Sequence, residues 1–154
     1  MTAETNEKNI RSGYMWFAGV ILAILGAVDS AYLLWLKLTG QVAACQNIGD
    51  CEAVNSSRYA EFGGIPIALF GLLAYLLIIA LFFLELKFPE WKDSLLLANF
   101  GVTFAGTLYS FYLTYVELFI LKAVCPFCVV SAVIIVILFI ISTLRLYIAY
   151  SSDE

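Results

Sequence analysis

Four stretches of this chain are longer and more apolar than helices of a water-soluble protein: Tyr14 to Leu38, Ile65 to Leu86, Leu95 to Leu121 and Val124 to Tyr150. An α-helix rises about 1.5 Å per residue, so about 20 residues cross a hydrocarbon core about 30 Å thick, and each stretch exceeds that. With 63% of the 154 residues hydrophobic and 13% charged, no room is left for a second soluble module. An open sheet is excluded because lipid leaves its edge groups unpaired, and the alternation of a barrel strand is absent. The sequence therefore predicts an all-α membrane protein, a bundle of four transmembrane helices forming one domain over residues 14–150. Polar tails at 1–13 and 151–154 are expected to be disordered. The first run is much longer than a signal-peptide core of roughly 7–15 residues and no small-x-small site follows it, so it is read as an uncleaved helix.

Parity sorts the loops. With four spans, the N-terminus, the 87–93 loop "KFPEWKD" and the C-terminus share one side, while the 39–64 loop and the 118–124 turn share the other. The first side carries Lys8, Arg11, Lys87, Lys92 and Arg145, the second Lys37, Arg58 and Lys122. That excess predicts cytoplasmic termini. Short loops and the absence of an ER-retrieval signal point to a bacterial or archaeal plasma membrane.

The four cysteines fall into two pairs, Cys45 and Cys51 in the first loop, Cys125 and Cys128 at the start of the fourth helix. Two crossings separate the pairs, so both face one compartment; with cytoplasmic termini it is the oxidising one, where disulfides persist. A structural staple remains open for Cys45 and Cys51, whose bond closes a short loop. No metal is expected: Cys-x5-Cys with a second pair about 70 residues on is poor zinc-ligand spacing.

"CPFC" resists the staple reading. Two cysteines three apart at a helix start share a face, and a bond between them closes almost no loop, so its entropic contribution is small. Redox exchange is the better use. Free N–H groups at a helix N-terminus stabilise a thiolate, and Pro126 suits a first turn whose N–H has no partner. Cys128 is expected about one turn, roughly 4.5 Å, deeper than Cys125. Electrons can then run from a soluble dithiol to the loop pair, to the helix pair, and on to a lipid-soluble quinone. The acceptor is inferred by what is missing: no Gly-rich nucleotide loop, no histidine for haem, no cluster spacing.

Four helices, a Cys-x5-Cys loop, "CEAVNSSRY" after it, "GGIPIALFG" leading into the second helix and "CPFC" at the fourth together resemble the vitamin K epoxide reductase (VKOR) family, over about residues 14–148. The resemblance implies a disulfide-generating or quinone-reducing membrane enzyme. Cys45 would exchange with the redox partner, Cys51 would relay to Cys125 through a transient disulfide, and Cys128 would face the quinone, of the ubiquinone, menaquinone or vitamin K type. Ser57 matches the family's hydroxyl position, and it also reads as an N-cap or turn serine. "CEAVNSSRYAE" fits a short amphipathic helix in the long extracytoplasmic loop, a lid with Val54 and Arg58 near the site.

Other members place an asparagine before the "FG" of the second helix and a tyrosine four residues after the last cysteine as partners for quinone carbonyls. By spacing from Gly71 and Cys128, this chain has Ile67 and Ala132 there, so its quinone anchoring is expected to be more apolar and vitamin K epoxide is the less favoured substrate. Some members carry a fused thioredoxin-like domain; here the chain ends soon after the fourth helix, so the expected partner is a separate extracytoplasmic thioredoxin-fold protein. Beyond it the expected partners are membrane lipid and quinone, with no nucleic acid.

Three features have readings of their own. Asp29, an acid well inside the first span, is expected to face the bundle interior, hydrogen-bonded near Asn99 or Tyr109 or handling protons. Tyr109, Tyr112 and Tyr115 recur at helical spacing, and one or two are expected to line the quinone site while the rest form an interface belt. Small residues in "GVTFAGT" and "FGLLAY" read as close-packing contacts. The rivals are a four-helix quinone reductase of the disulfide-bond protein B type, whose order of cysteine pairs is reversed, and a non-enzymatic membrane subunit with four structural cysteines. A transporter would need paired charges and broken repeats that these spans lack.

Overall fold

The computed structural model describes residues 2–41 and 51–151. Helix α1 runs Thr2–Thr39; α2 is short, Cys51–Asn55; a 3-10 turn follows at Arg58–Ala60. Strands β1 (Glu61–Phe62) and β2 (Ile65–Pro66) lead into α3 (Ile67–Lys87). A second 3-10 turn at Pro89–Trp91 opens α4 (Lys92–Tyr115), which passes into a π-helical turn, Val116–Leu121, before α5 (Pro126–Tyr150).

Four segments are long and apolar enough to cross a membrane: Gly13–Thr39, Ile67–Lys87, Pro89–Leu121 and Pro126–Tyr150. The predicted four-helix bundle is present. Helix α1 packs on α3 and α5, and α4 packs on α5 and α3, which closes a ring of four. Ala23, Ile78, Phe82 and Leu138 are fully buried at its centre. Side chains such as Ile21, Leu25, Leu76, Phe83 and Phe111 stand exposed on the outside, where lipid chains rather than water suit them.

Helices with no hydrophobic drive toward one another associate through small residues that let backbones approach. A Cβ on Gly26 would strike the Tyr75 ring, and one on Gly19 would lie 2.5 Å from the Phe82 ring. Of the small residues read from sequence, Gly106 meets Ile135 and Gly71 meets Ser30, both with 3.1 Å for an added Cβ, whereas Gly101 has nothing within 4 Å.

Three expectations are corrected. The N-terminal tail is helical from Thr2, not disordered: nothing breaks the chain before Gly13, and each residue added to an existing helix gains a hydrogen bond without a new nucleus. The lid helix stops at Asn55 instead of continuing through Glu61. Ser57 takes an extended backbone, and Gly63 and Gly64, with φ of 61° and 83°, turn the chain so that Phe62 pairs with Ile65. Arg145 is not a flanking loop charge. It is 5% exposed, and its Nη2 donates to both carboxylate oxygens of Glu85 on α3, at 2.7 and 2.9 Å. Its guanidinium lies 5.0 Å from the centre of the Phe82 ring. Without Arg145 the basic residues stand at four against three, Lys8, Arg11, Lys87 and Lys92 against Lys37, Arg58 and Lys122.

Candidate dithiol site

The site lies at the end of the bundle where the lid, the start of α3, the end of α4 and the start of α5 meet. Cys125 is the N-cap of α5 in an extended conformation, Pro126 takes the first helical position, and the Val129 N–H donates to the Cys125 carbonyl at 3.1 Å. This is the helix start that "CPFC" predicts. Cys125 is 1% exposed and Cys128 half-buried, and both are free thiols.

Cys51 opens α2, is 2% exposed and is disulfide-bonded. With Cys125 free, Cys51 is not joined to it in this state. Cys45 lies outside the described residues.

The Cys125 thiol is held below the usual thiol range. The largest cause is the hydrogen bond from the Cys128 side chain, helped by the N–H groups of Cys128 and Phe127 at the helix start; burial and the Glu117 carboxylate oppose it. The pair is therefore asymmetric, with Cys125 the better thiolate and Cys128 the hydrogen donor.

Glu117 organises the turn that delivers these cysteines. The π-helical turn ends at Lys122, which adopts a left-handed φ of 50°. The Glu117 carbonyl accepts the N–H groups of Lys122 and Ala123, the latter at 3.2 Å. Its Oε2 accepts the N–H of Cys125 at 3.3 Å. One residue thus accepts three backbone N–H groups of the segment from Lys122 to Cys125 that joins α4 to α5. Glu117 is 5% exposed and lines the same cavity as Cys125 and Cys128.

A cavity of about 610 Å³ opens beside the dithiol. Its walls are mainly apolar, with Val54, Tyr59 and Phe62 from the lid, Ile67 and Phe70 from α3, Val102 and Leu113 from α4 and Ile135 from α5. The polar groups of the lining include Ser57, Tyr75, Ser110, Glu117 and Ser131 besides the two cysteines. The Tyr75 hydroxyl donates to the Ser131 carbonyl at 2.9 Å. The size and the sparse polar groups are those of a small-molecule site.

Of the residues singled out in the sequence, Cys125, Cys128, Ser57, Val54 and Ile67 line this cavity. Ser57 is both a lining residue and the N-cap of the 3-10 turn, and its hydroxyl donates back to the Val54 carbonyl at 2.7 Å. Ala132 is not in the wall, since its neighbour Ser131 and then Ile135 present that face of α5. Arg58 is exposed and also outside it. Of the three tyrosines Tyr109 lines the cavity, while Tyr112 and Tyr115 are exposed on the outer surface. Asp29 does not meet Asn99: Asp29 Oδ2 and Asn99 Oδ1 are both buried without a hydrogen-bond partner among the described residues.

Glu117, Tyr75 and Ser131 were not found from sequence. For Glu117 a signal existed, a carboxylate in "YVELFILKAVCPFC" near the membrane end of an apolar run. Tyr75 and Ser131 carried none, because a single hydroxyl in an apolar helix looks the same whether it faces lipid or a cavity.

Comparison with known proteins finds both a family model and a curated relative. A model of the vitamin K epoxide reductase family matches residues 17–143. The thiol-disulfide oxidoreductase LTO1 of Arabidopsis thaliana is 35% identical over 121 residues, which are 75% of this chain and 32% of that protein. The chain thus spans about a third of the length of that curated relative.

Proposed function

Because this chain belongs to the vitamin K epoxide reductase family, we propose that it is a membrane thiol-disulfide oxidoreductase. In this reading it passes electrons from a thioredoxin-fold dithiol protein through Cys45 and Cys51, then through Cys125 and Cys128, to a quinone, and so supports disulfide formation. Its setting is a plasma membrane, with the termini cytoplasmic and all four cysteines outside. One observation carries the reading: a free dithiol stands in the wall of a mainly apolar cavity, under a lid that bears an oxidised cysteine.

The cavity fits a quinone. A ring of this class needs apolar walls, room for the start of a prenyl tail, and one or two polar groups for its carbonyls. The volume of about 610 Å³, the walls of Ile67, Phe70 and Ile135, and lining hydroxyls such as those of Ser110 and Ser131 meet those needs. These residues would hold the ring beside Cys128. A quinone supplies a two-electron, two-proton acceptor that dissolves in lipid.

The chain's own groups divide the exchange steps. Reduced Cys51 attacks Cys125 of an oxidised helix pair, and Cys128 leaves as a thiol. Cys45 then attacks Cys51, and Cys125 is released. A leaving sulfur departs faster when its thiol pKa is low, so the depressed Cys125 suits that position. Free thiols at Cys125 and Cys128 with Cys51 in a disulfide are what such a relay would leave, which supports the reading.

The test is anaerobic oxidation of a reduced thioredoxin-fold substrate by the purified protein, across ubiquinone, menaquinone, vitamin K quinone and its epoxide. Quinone-dependent oxidation supports the reading. Four cysteines indifferent to both reductant and quinone would show a structural subunit instead.

A further inference from the structure

Closing the Cys125–Cys128 disulfide releases two electrons and two protons. The electrons leave the sulfurs for the acceptor, but a proton leaving a half-buried thiol in an apolar cavity needs a carrier. Backbone amides, serines and a cystine do not exchange one readily. Among the described residues lining the cavity, Glu117 carries the carboxyl group.

We propose that Glu117 is a catalytic proton carrier: its carboxylate takes the Cys128 thiol proton as the disulfide closes and delivers it to an oxygen of the quinone. This rests on the quinone reading above. Three observations converge on it. Glu117 is 5% exposed, so it is shielded from bulk water. Its Oε2 is anchored by the Cys125 N–H at 3.3 Å, which holds the carboxyl group at the start of α5, about one helical turn from Cys128. It also lines the same cavity as both thiols, so the one carboxyl group adjoins both the proton's donor and the space proposed for the quinone.

The balance is complete. Two sulfurs each give up one electron as the S–S bond forms, and quinone becomes hydroquinone with those two electrons and two protons. One proton travels by Glu117, which ends ionised as it began; the other is the proton of Cys125, lost to water when that sulfur is a thiolate and returned to the second ring oxygen from water. A general base of this kind contributes roughly 10²–10⁴-fold.

Glu117 also braces the turn at 122–125, so the variants must separate the two roles. Gln at 117 keeps an oxygen that accepts the Cys125 N–H but exchanges no proton. The titratable groups beside Glu117 are Cys125 and Cys128 at the start of α5, with Tyr109 of α4 lining the same cavity; Lys122 is exposed.

The experiment compares wild type, Glu117→Gln and Glu117→Asp in detergent. The first readout needs no quinone: thiolate absorbance of the reduced protein against pH, with Cys128 assigned by alkylation. Glu117→Gln should remove the inflection due to the carboxyl group from the Cys128 titration, and Glu117→Asp should keep it. The second readout is steady-state quinone reduction with a small dithiol in excess as the electron donor. Glu117→Gln should lose at least 10-fold in kcat with KM for quinone unchanged, and should lose the fall in rate at low pH that a base requires. Glu117→Asp should recover part of both. A Gln variant with wild-type titration, kcat and pH profile overturns the proposal and leaves Glu117 as a brace. A wild type that reduces no quinone overturns the proposal together with the reading it rests on. If Glu117→Gln does not fold, the Asp variant decides: a kcat equal to that of the wild type contradicts a carboxyl carrier whose reach has been shortened.

Discussion

The hydroxyl of Tyr75 on α3 donates to the Ser131 carbonyl on α5 at 2.9 Å and lies 3.0 Å from the Ser131 Oγ. Ser131 is three residues beyond Cys128, about one turn deeper along α5. The bond therefore ties two helices across the inner end of the cavity. Tyr75→Phe keeps the ring that packs on Gly26 and removes only this bond, at a cost of about 0.5–1.5 kcal/mol. We expect a lower melting temperature in detergent and a several-fold rise in KM for quinone, with thiol-disulfide exchange at the loop unchanged. An unchanged melting temperature and KM would mean that the bond is not formed in solution.

Cys125 should titrate below an ordinary thiol, because the Cys128 side chain donates to its sulfur and outweighs burial and Glu117. The sign follows from that order: lowering favours the thiolate, so at neutral pH more of Cys125 is ionised than of a free cysteine, and the excess is lost as pH falls through the depressed value. Cys128→Ala removes the largest cause and should move the Cys125 midpoint up, while Cys128→Ser, which keeps a donor, should move it less. Thiolate absorbance in a background lacking Cys45 and Cys51 measures both.

The buried pair of Arg145 and Glu85 should behave as a structural unit remote from the chemistry. Their side chains are 3% and 7% exposed, so removing one partner strands a charge away from water, at a cost of about 3–5 kcal/mol. Arg145→Met and Glu85→Gln should each lower thermal stability strongly, and the double replacement by leucines should recover most of it. The quinone turnover of folded protein should not change. Equal stability of single and double variants would contradict a coupled pair.

The order of exchange also predicts a trap. Cys51→Ala leaves Cys45 with no neighbour to resolve its bond to a partner, so a mixed disulfide should accumulate and be visible on a non-reducing gel. Cys45→Ala should abolish oxidation of the protein partner while leaving reduction by a small dithiol measurable. Equal loss of both activities on Cys45→Ala would contradict the division between the two loop cysteines.

The four spans were legible because length and apolarity alone decide a membrane crossing, and the placement of the "CPFC" helix start was legible because Pro126 and the cysteine spacing mark it. What was not legible depended on partners distant in sequence. Arg145 reads as a loop charge until Glu85, 60 residues away, is found opposite it. The break of the lid at Asn55 depends on how the "GG" turn pairs Phe62 with Ile65, which local propensity does not report. Ala132 was placed by counting from Cys128, but the rotation of α5 turns Ser131 and Ile135 into the cavity instead. Glu117 was overlooked because its role comes from the π-helical turn, which bends the chain back so that a carboxylate eight residues before Cys125 reaches its N–H.

The most direct measurement of the account is a single turnover without any protein partner. Protein carrying Cys45→Ala and Cys51→Ala, so that the helix pair cannot be re-reduced by the loop, is reduced, freed of reductant, mixed anaerobically with one equivalent of quinone, and its thiols are then counted by alkylation and mass spectrometry. The account predicts one hydroquinone formed per protein and the loss of two thiols, at Cys125 and Cys128. Hydroquinone without thiol loss at those two positions, or no hydroquinone with all thiols retained, would contradict it.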